Sequence, residues 1–260
     1  MKKILLFTLS ATLLTSAYAQ DSQKAPAKTE QTQEQTKTVD DQTKVSKEIR
    51  ILVVGASMTN LSVGWGPGFC NQFLGAVECF NVSKNGRSSK SYRDEGWWDR
   101  AMALKPNYVL LDWGGNDVPG KGPERETDPK TTFYANMKQY VLDARAAGAV
   151  PVLVTPLPRR NYRDGKFVHD MDDYAAAVIK VGLDTNTPVI DLHGQATAML
   201  EKLTPAQVLS LDYVASATAK PDPAHMSPKG IDLFGRMAAE DFAKVVPKMA
   251  KTVHMLYEPQ

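Results

Sequence analysis

A serine, a histidine with an aspartate three residues before it, an asparagine and a glycine carry the chemistry this sequence offers. Ser57 lies in ILVVGASMTN, where an apolar run stops at Gly55 and small residues follow at once. Two readings fit it: a hydroxyl capping a helix after a tight turn, since Ser is a favoured N-cap, or an activated nucleophile at a strand end. A base elsewhere in the chain decides between them. Of the four histidines, His254 lies in the C-terminal tail and His169 in the polar stretch DGKFVHDMDD, and both read as solvated side chains. His193, in IDLHGQA after an apolar run, reads as a structural histidine. His225, in KPDPAHMSPKG, is different because Asp222 precedes it by three residues. One turn brings that carboxylate to the imidazole Nδ1 and leaves Nε2 free to face Ser57. Acyl transfer also needs donors where negative charge develops on the carbonyl oxygen. The backbone N–H groups of Ser57 and Gly86 and the side-chain amide of Asn116 are the candidates, and glycine at 86 lets the backbone approach a ligand closely.

These residues need a scaffold that brings them together. Five apolar, β-rich runs recur, at Arg50–Val54, Glu78–Ser83, Tyr108–Trp113, Val150–Thr155 and Pro188–Leu192. Helical periodicity separates them, over Thr131–Ala147 and Met171–Asp184, and predicts a last helix from Pro228 to Lys251. Strands alternating with helices predict a parallel sheet covered on both faces, a doubly wound α/β fold. Ligands of such sheets sit outside the carboxyl ends of the strands, where strand order reverses. Gly55-Ala56-Ser57, Lys84 to Ser89 and Gly114 to Asp117 follow the first three strands. In the order 2-1-3-4-5 those loops lie side by side, about 4.8 Å per strand apart.

The first nineteen residues join Lys2 and Lys3 to an apolar run and the small-x-small pattern Ala17-Tyr18-Ala19, which reads as a secretory leader cut after Ala19. Residues 20–48 are polar, without aromatics, and read as a disordered tether. Residues 49–260 suit one domain. The expected product is secreted or periplasmic, and no stretch approaches the roughly 20 apolar residues of a membrane helix. With 31 basic against 29 acidic residues the net charge is +2, too balanced for a nucleic-acid partner. Export permits a Cys70–Cys79 disulfide worth about 2–3 kcal/mol; the alternative is two unpaired buried thiols. Neither cysteine has a His or second Cys at ligand spacing, so no metal and no cofactor is expected. Nothing in the sequence specifies an oligomer.

Ser57 in GASMT, Gly86 in NGRSSKSY, Asn116 in GGND and His225 in DPAH resemble, in order, the four blocks of the SGNH, or GDSL, hydrolases. GWGPGF at 64–69, GRSSKSY at 86–92 and VTPLPRR at 154–160 are similar to the rhamnogalacturonan acetylesterase branch of that superfamily. The resemblance implies a flavodoxin-like three-layer α/β/α sandwich. It also implies a serine esterase with Ser57, His225 and Asp222 as triad and Ser57, Gly86 and Asn116 as oxyanion hole. The substrate it implies is an acetylated polysaccharide or oligosaccharide, pectic rhamnogalacturonan in particular. Arg159 and Arg160 would suit the carboxylates of such a polymer, unless they are a solvated loop pair. Trp97 would stack on a sugar ring, unless it joins Trp113 in the core. Two other functions remain open: a short-chain esterase or lysophospholipase of the same superfamily, and a catalytically weak carbohydrate-binding homologue. The second is suggested by Ala56, which stands where the family has an aspartate. Restoring that aspartate is expected to raise kcat, provided its hydrogen-bond partners are still present.

Overall fold

Alternate residues of the first strand point to opposite faces, and each face has its own core. The computed structural model describes residues 48–75 and 77–254. The leader and all of the tether but Glu48 lie outside the described residues. Strands β1 (Ile49–Gly55), β2 (Val77–Asn81), β3 (Tyr108–Asp112), β4 (Val150–Val154) and β5 (Val189–Ile190) form one parallel sheet in the order β2-β1-β3-β4-β5. This is the expected 2-1-3-4-5 order. The helices that concern the site are α1 (Gly66–Cys70), α2 (Ser91–Asp94), α3 (Trp97–Met102), α4 (Thr132–Ala146), α5 (Asp172–Thr185), α6 (Leu192–Leu200), α7 (Pro205–Leu209) and α8 (Pro228–Val245).

Ile51, Val53, Leu110, Val152 and Val154 pack with Trp65 and Phe69 of the α1 region and Phe234 and Phe242 of α8. Leu52, Val54, Val109, Leu111 and Leu153 pack on the other face with Trp98, Phe133, Tyr140 and Val178 from α3, α4 and α5. A sheet buried on both faces explains why these strands read as continuous apolar runs. The chain therefore has the flavodoxin-like α/β/α architecture. Cys70 and Cys79 form a disulfide that ties the end of α1 to the edge strand β2.

Several elements differ from the sequence reading, and three of the differences bear on the site or its frame. The fifth strand stops at Ile190 because the Asp191 side chain accepts from Gly194 N and starts α6 at Leu192. The last helix ends at Val245, and Pro247, which has no N–H to donate, opens a separate 3₁₀ turn over Pro247–Thr252. His225 lies in a short strand, Asp222–Met226, paired antiparallel with Asp212–Tyr213, where a plain loop was expected.

Candidate active site

Ser57 has no helix to cap. After β1 the chain makes consecutive turns, with Thr59 N donating to Ala56 O and Asn60 N to Ser57 O, both at 3.2 Å, and the next helix begins only at Gly66. The Thr59 hydroxyl donates to Ala56 O at 2.9 Å, and Trp65 N closes the loop onto Met58 O at 2.9 Å. Gly55 makes the turn possible: a Cβ there would sit 2.4 Å from Thr59 Oγ1 and 2.6 Å from Asp112 O. The small residues around Ser57 thus serve a tight strand exit, and the half-buried serine faces a cavity.

That cavity, of about 90 Å³, is lined by Ser57, Asn116, His225, Arg159, Asp112 and Lys121, with Ala56, Met58, Gly115 and Ala224 completing its wall. Strand ends β1 and β3 supply Ser57 and Asn116, and the segment before α8 supplies His225. His225 Nδ1 lies 2.6 Å from Asp222 Oδ2. Asp222 Oδ1 also accepts from Ala224 N at 2.9 Å and His225 N at 3.3 Å, a side-chain-to-backbone turn that fixes carboxylate and imidazole together. Burial raises the Asp222 pKa, but the bonds from His225 and Ala224 outweigh it and leave the carboxyl below its ordinary value. The segment is held to the rest of the site by Met226 N donating to Val63 O at 2.9 Å. Arg160 holds it from behind, donating through Nη2 to His225 O at 2.6 Å and pairing through Nε with Asp212.

Asn116 donates one N–H of its amide to Arg87 O at 3.0 Å. Its second N–H has no partner among the described residues. Asp117, fully buried, accepts from Ser89 N at 3.1 Å, Ser89 Oγ at 2.5 Å, Thr127 Oγ1 at 2.8 Å and Gly114 N at 3.0 Å, so it clamps the loops on either side of Asn116. Gly86 sits in the turn after β2 at φ 74°, a conformation that favours glycine, one residue from the carbonyl that Asn116 binds. It is not among the residues lining the Ser57 cavity.

The expected substrate contacts separate. Arg159 lines the cavity, with Nη2 on Gly115 O and Nη1 on Asp170 Oδ2, both at 2.9 Å. Arg160 does not reach it: its side chain is 0% exposed and turned to Asp212 and the His225 carbonyl, which places it as a support for His225 and not as a substrate contact. Trp97 lines a different cleft, between α3 and the turn after β2. Trp113 is in the core, as expected. His193 is buried between Pro156 O and Asp172, a structural role.

Asp112 and Lys121 were not anticipated from sequence. Lys121 carries no signal in its spacing, but an aspartate closing the apolar run YVLLD was a visible one. Asp112 is buried, accepts from Trp65 Nε1 at 2.9 Å, and has its pKa pushed up to about 7, chiefly by burial, with the Trp65 bond opposing and Asp117 adding to it. A folded-state pKa above the unfolded one means that the protonated form is favoured by folding. The contribution to stability is thus complete below about pH 4 and lost as pH rises through about 7. Urea melts of the parent and Asp112→Asn between pH 4.5 and 8 are expected to show the parent's midpoint declining more steeply; parallel curves would refute this.

The expectation for Ala56 is reversed by its surroundings. Ala56 is 7% exposed and packs in the cluster of Tyr92, Trp98 and Trp113. A carboxyl placed there would be desolvated against those apolar rings, a loss of about 1–3 kcal/mol. Ala56→Asp is expected to melt at lower temperature without gaining kcat, and a higher kcat at unchanged melting temperature would contradict this.

Residues 53–233 match the GDSL-like lipase/acylhydrolase family, and the chain belongs to that family of carboxylic ester hydrolases. Among curated relatives it is 31% identical over 184 residues to a probable rhamnogalacturonan acetylesterase, YesY, of Bacillus subtilis, covering 68% of this chain and 82% of that one. It is 29% identical over 190 residues to the rhamnogalacturonan acetylesterase RhgT of the same organism, covering 68% and 79%. Among solved structures, protein YXIM of Bacillus subtilis superposes with a TM-score of 0.63 at 21% identity, over 75% of this chain and 56% of that one. This chain thus spans just over half of that protein's length. An acetylxylan esterase from Geobacillus stearothermophilus superposes with a TM-score of 0.57 at 19% identity, over 78% and 96%. At these identities the two structures bear on fold alone.

Proposed function

We propose that the protein is an exported acetylesterase that removes O-acetyl groups from pectic rhamnogalacturonan, with Ser57 as nucleophile, His225 as base and Asp222 as its orienting acid. The observation that carries this reading is the small cavity that gathers Ser57, Asn116 and His225 while Asp222 holds the imidazole from behind at 2.6 Å. Ser57 Oγ attacks the acetyl carbonyl carbon and its proton passes to His225 Nε2. The imidazolium so formed is stabilised through Nδ1–H by Asp222. The tetrahedral oxygen takes the free N–H of Asn116 and the backbone N–H groups of Ser57 and Gly86. Collapse returns the proton from His225 to the departing sugar oxygen and leaves acetyl-Ser57. Water, deprotonated by His225, then releases acetate.

Size supports acetyl over a long acyl chain. The space of about 90 Å³ around Ser57 suits a two-carbon acyl group. The names of the two curated relatives support the pectic polymer, and the leader read in residues 1–19 supports export. The test is acetate release from acetylated rhamnogalacturonan, acetylated xylan, an aryl acetate and a lysophospholipid. The highest kcat/KM is expected on rhamnogalacturonan; acyl release from the lysophospholipid with none from any polysaccharide would overturn the proposal.

A further inference from the structure

A second cleft, of about 550 Å³, opens beside the catalytic cavity between α3 and the turn after β2. Its walls carry Lys84, Arg87 and Arg100, with Trp97 between them, and no carboxylate lines it. The Lys84 ammonium lies 4.1 Å from the centre of the Trp97 ring and the Arg100 guanidinium 4.7 Å from it. Arg87 pairs with Glu95 at 2.8 Å, and Glu95 Oε2 also accepts from Trp97 Nε1 at 2.9 Å, which fixes the indole. Lys84 and Arg100 form no ion pair among the described residues. Two cations without an ion pair among the described residues thus lie against the Trp97 ring, one from a strand-end turn and one from α3.

The cleft adjoins the catalytic cavity through shared backbone. Lys84 N donates to Gly55 O at 2.9 Å, so the turn bearing Lys84 is tied to the exit of β1 that presents Ser57. Asn60, which closes the Ser57 turn, lines the cleft, and Arg87 lends its carbonyl to Asn116. The cleft and the Ser57 cavity are thus separated by turns that are bonded to each other. Asn60 and Asn85 add amide groups suited to sugar hydroxyls.

We infer that this cleft is a subsite for a carboxylated sugar, a uronate unit next to the acetylated one, and that Lys84 and Arg100 held on Trp97 take its carboxylate. This rests on the polysaccharide esterase reading for the order of the units, but not for binding itself. It moves carboxylate recognition away from Arg159, already committed to Asp170 and Gly115, and from buried Arg160.

Binding of an oligogalacturonate free of acetyl groups to the full chain, followed by calorimetry, tests the cleft without any ester chemistry. The parent is expected to bind it, more weakly at 0.3 M salt as charge screening demands (Debye length of roughly 6 Å). A xylo-oligosaccharide of equal length is expected not to compete. The double variant Lys84→Glu/Arg100→Glu is expected to bind at least tenfold more weakly at an unchanged melting temperature. Should that variant fail to fold, Lys84→Gln/Arg100→Gln is expected to lose about fivefold. The inference is overturned if the parent does not bind, if the variant binds within twofold of the parent, or if inorganic polyphosphate binds as tightly and is lost in the same variant. Oligogalacturonate binding by a protein that releases no acetate would remove the esterase reading and leave the cleft. Acetate release from rhamnogalacturonan without oligogalacturonate binding would do the reverse.

Discussion

Ser57→Ala and His225→Ala are each expected to lower kcat for acetate release by about 10³-fold or more while the protein stays folded. Both side chains line a cavity, so neither removal opens a void in the core. Without the hydroxyl there is no acetyl-enzyme, and without the imidazole nothing takes the serine proton. The double variant should be little worse than either single one, because the two groups act as a unit. KM should change much less than kcat, since the affected interactions form in the transition state. Kinetics with an aryl acetate, alongside melting curves, check this; a Ser57→Ala protein retaining a tenth of the parent's rate would remove Ser57 from the mechanism.

Asp117→Ala is expected to have the largest effect on stability. The carboxylate is fully buried and satisfies donors from Ser89, Thr127 and Gly114, three points on separate stretches of chain. Burial raises its pKa to about 6, against the hydrogen bonds from Ser89 and Thr127, so at neutral pH it is the ionised acceptor those donors need. Alanine leaves them buried without partners, at about 1–3 kcal/mol each. A total loss of about 3 kcal/mol or more lowers the melting temperature by roughly 6–12 °C for a domain of this size. Because the same carboxylate fixes the turn that carries Asn116, kcat should fall in the molecules that remain folded. Asp117→Asn, which keeps one acceptor oxygen, should lie between. A melting temperature within 2 °C of the parent would show that the clamp is dispensable.

The sheet was legible because its signals are local. The central strands β1, β3 and β4 are apolar runs covered on both faces, and β1 and β3 lead directly into the short turns that carry Ser57 and Asn116. The Ser57 turn, the Asn116 turn and the Asp222–His225 pair were legible for the same reason, since each spacing acts within one turn of chain. What escaped depends on distant partners. Arg159 and Arg160 are adjacent and chemically identical in the sequence, yet one lines the cavity and the other is buried on Asp212, 52 positions away. The two cations against Trp97 were equally hidden, since one of them, Lys84, comes from another loop. Ala56 read as a loss until its place against Trp113 appeared, brought there by the pairing of β1 with β3.

The most direct test of the account is to find which atom carries the covalent intermediate. A serine-reactive phosphonate ester, bearing a methyl group in place of the acetyl methyl, is added to the parent and the modified peptide is mapped by mass spectrometry. The account predicts one adduct, on Ser57, formed in proportion to the loss of acetate-releasing activity and absent from the Ser57→Ala protein. Stoichiometric inactivation with the adduct on any other residue, or full labelling of Ser57 with acetate release undiminished, would contradict it.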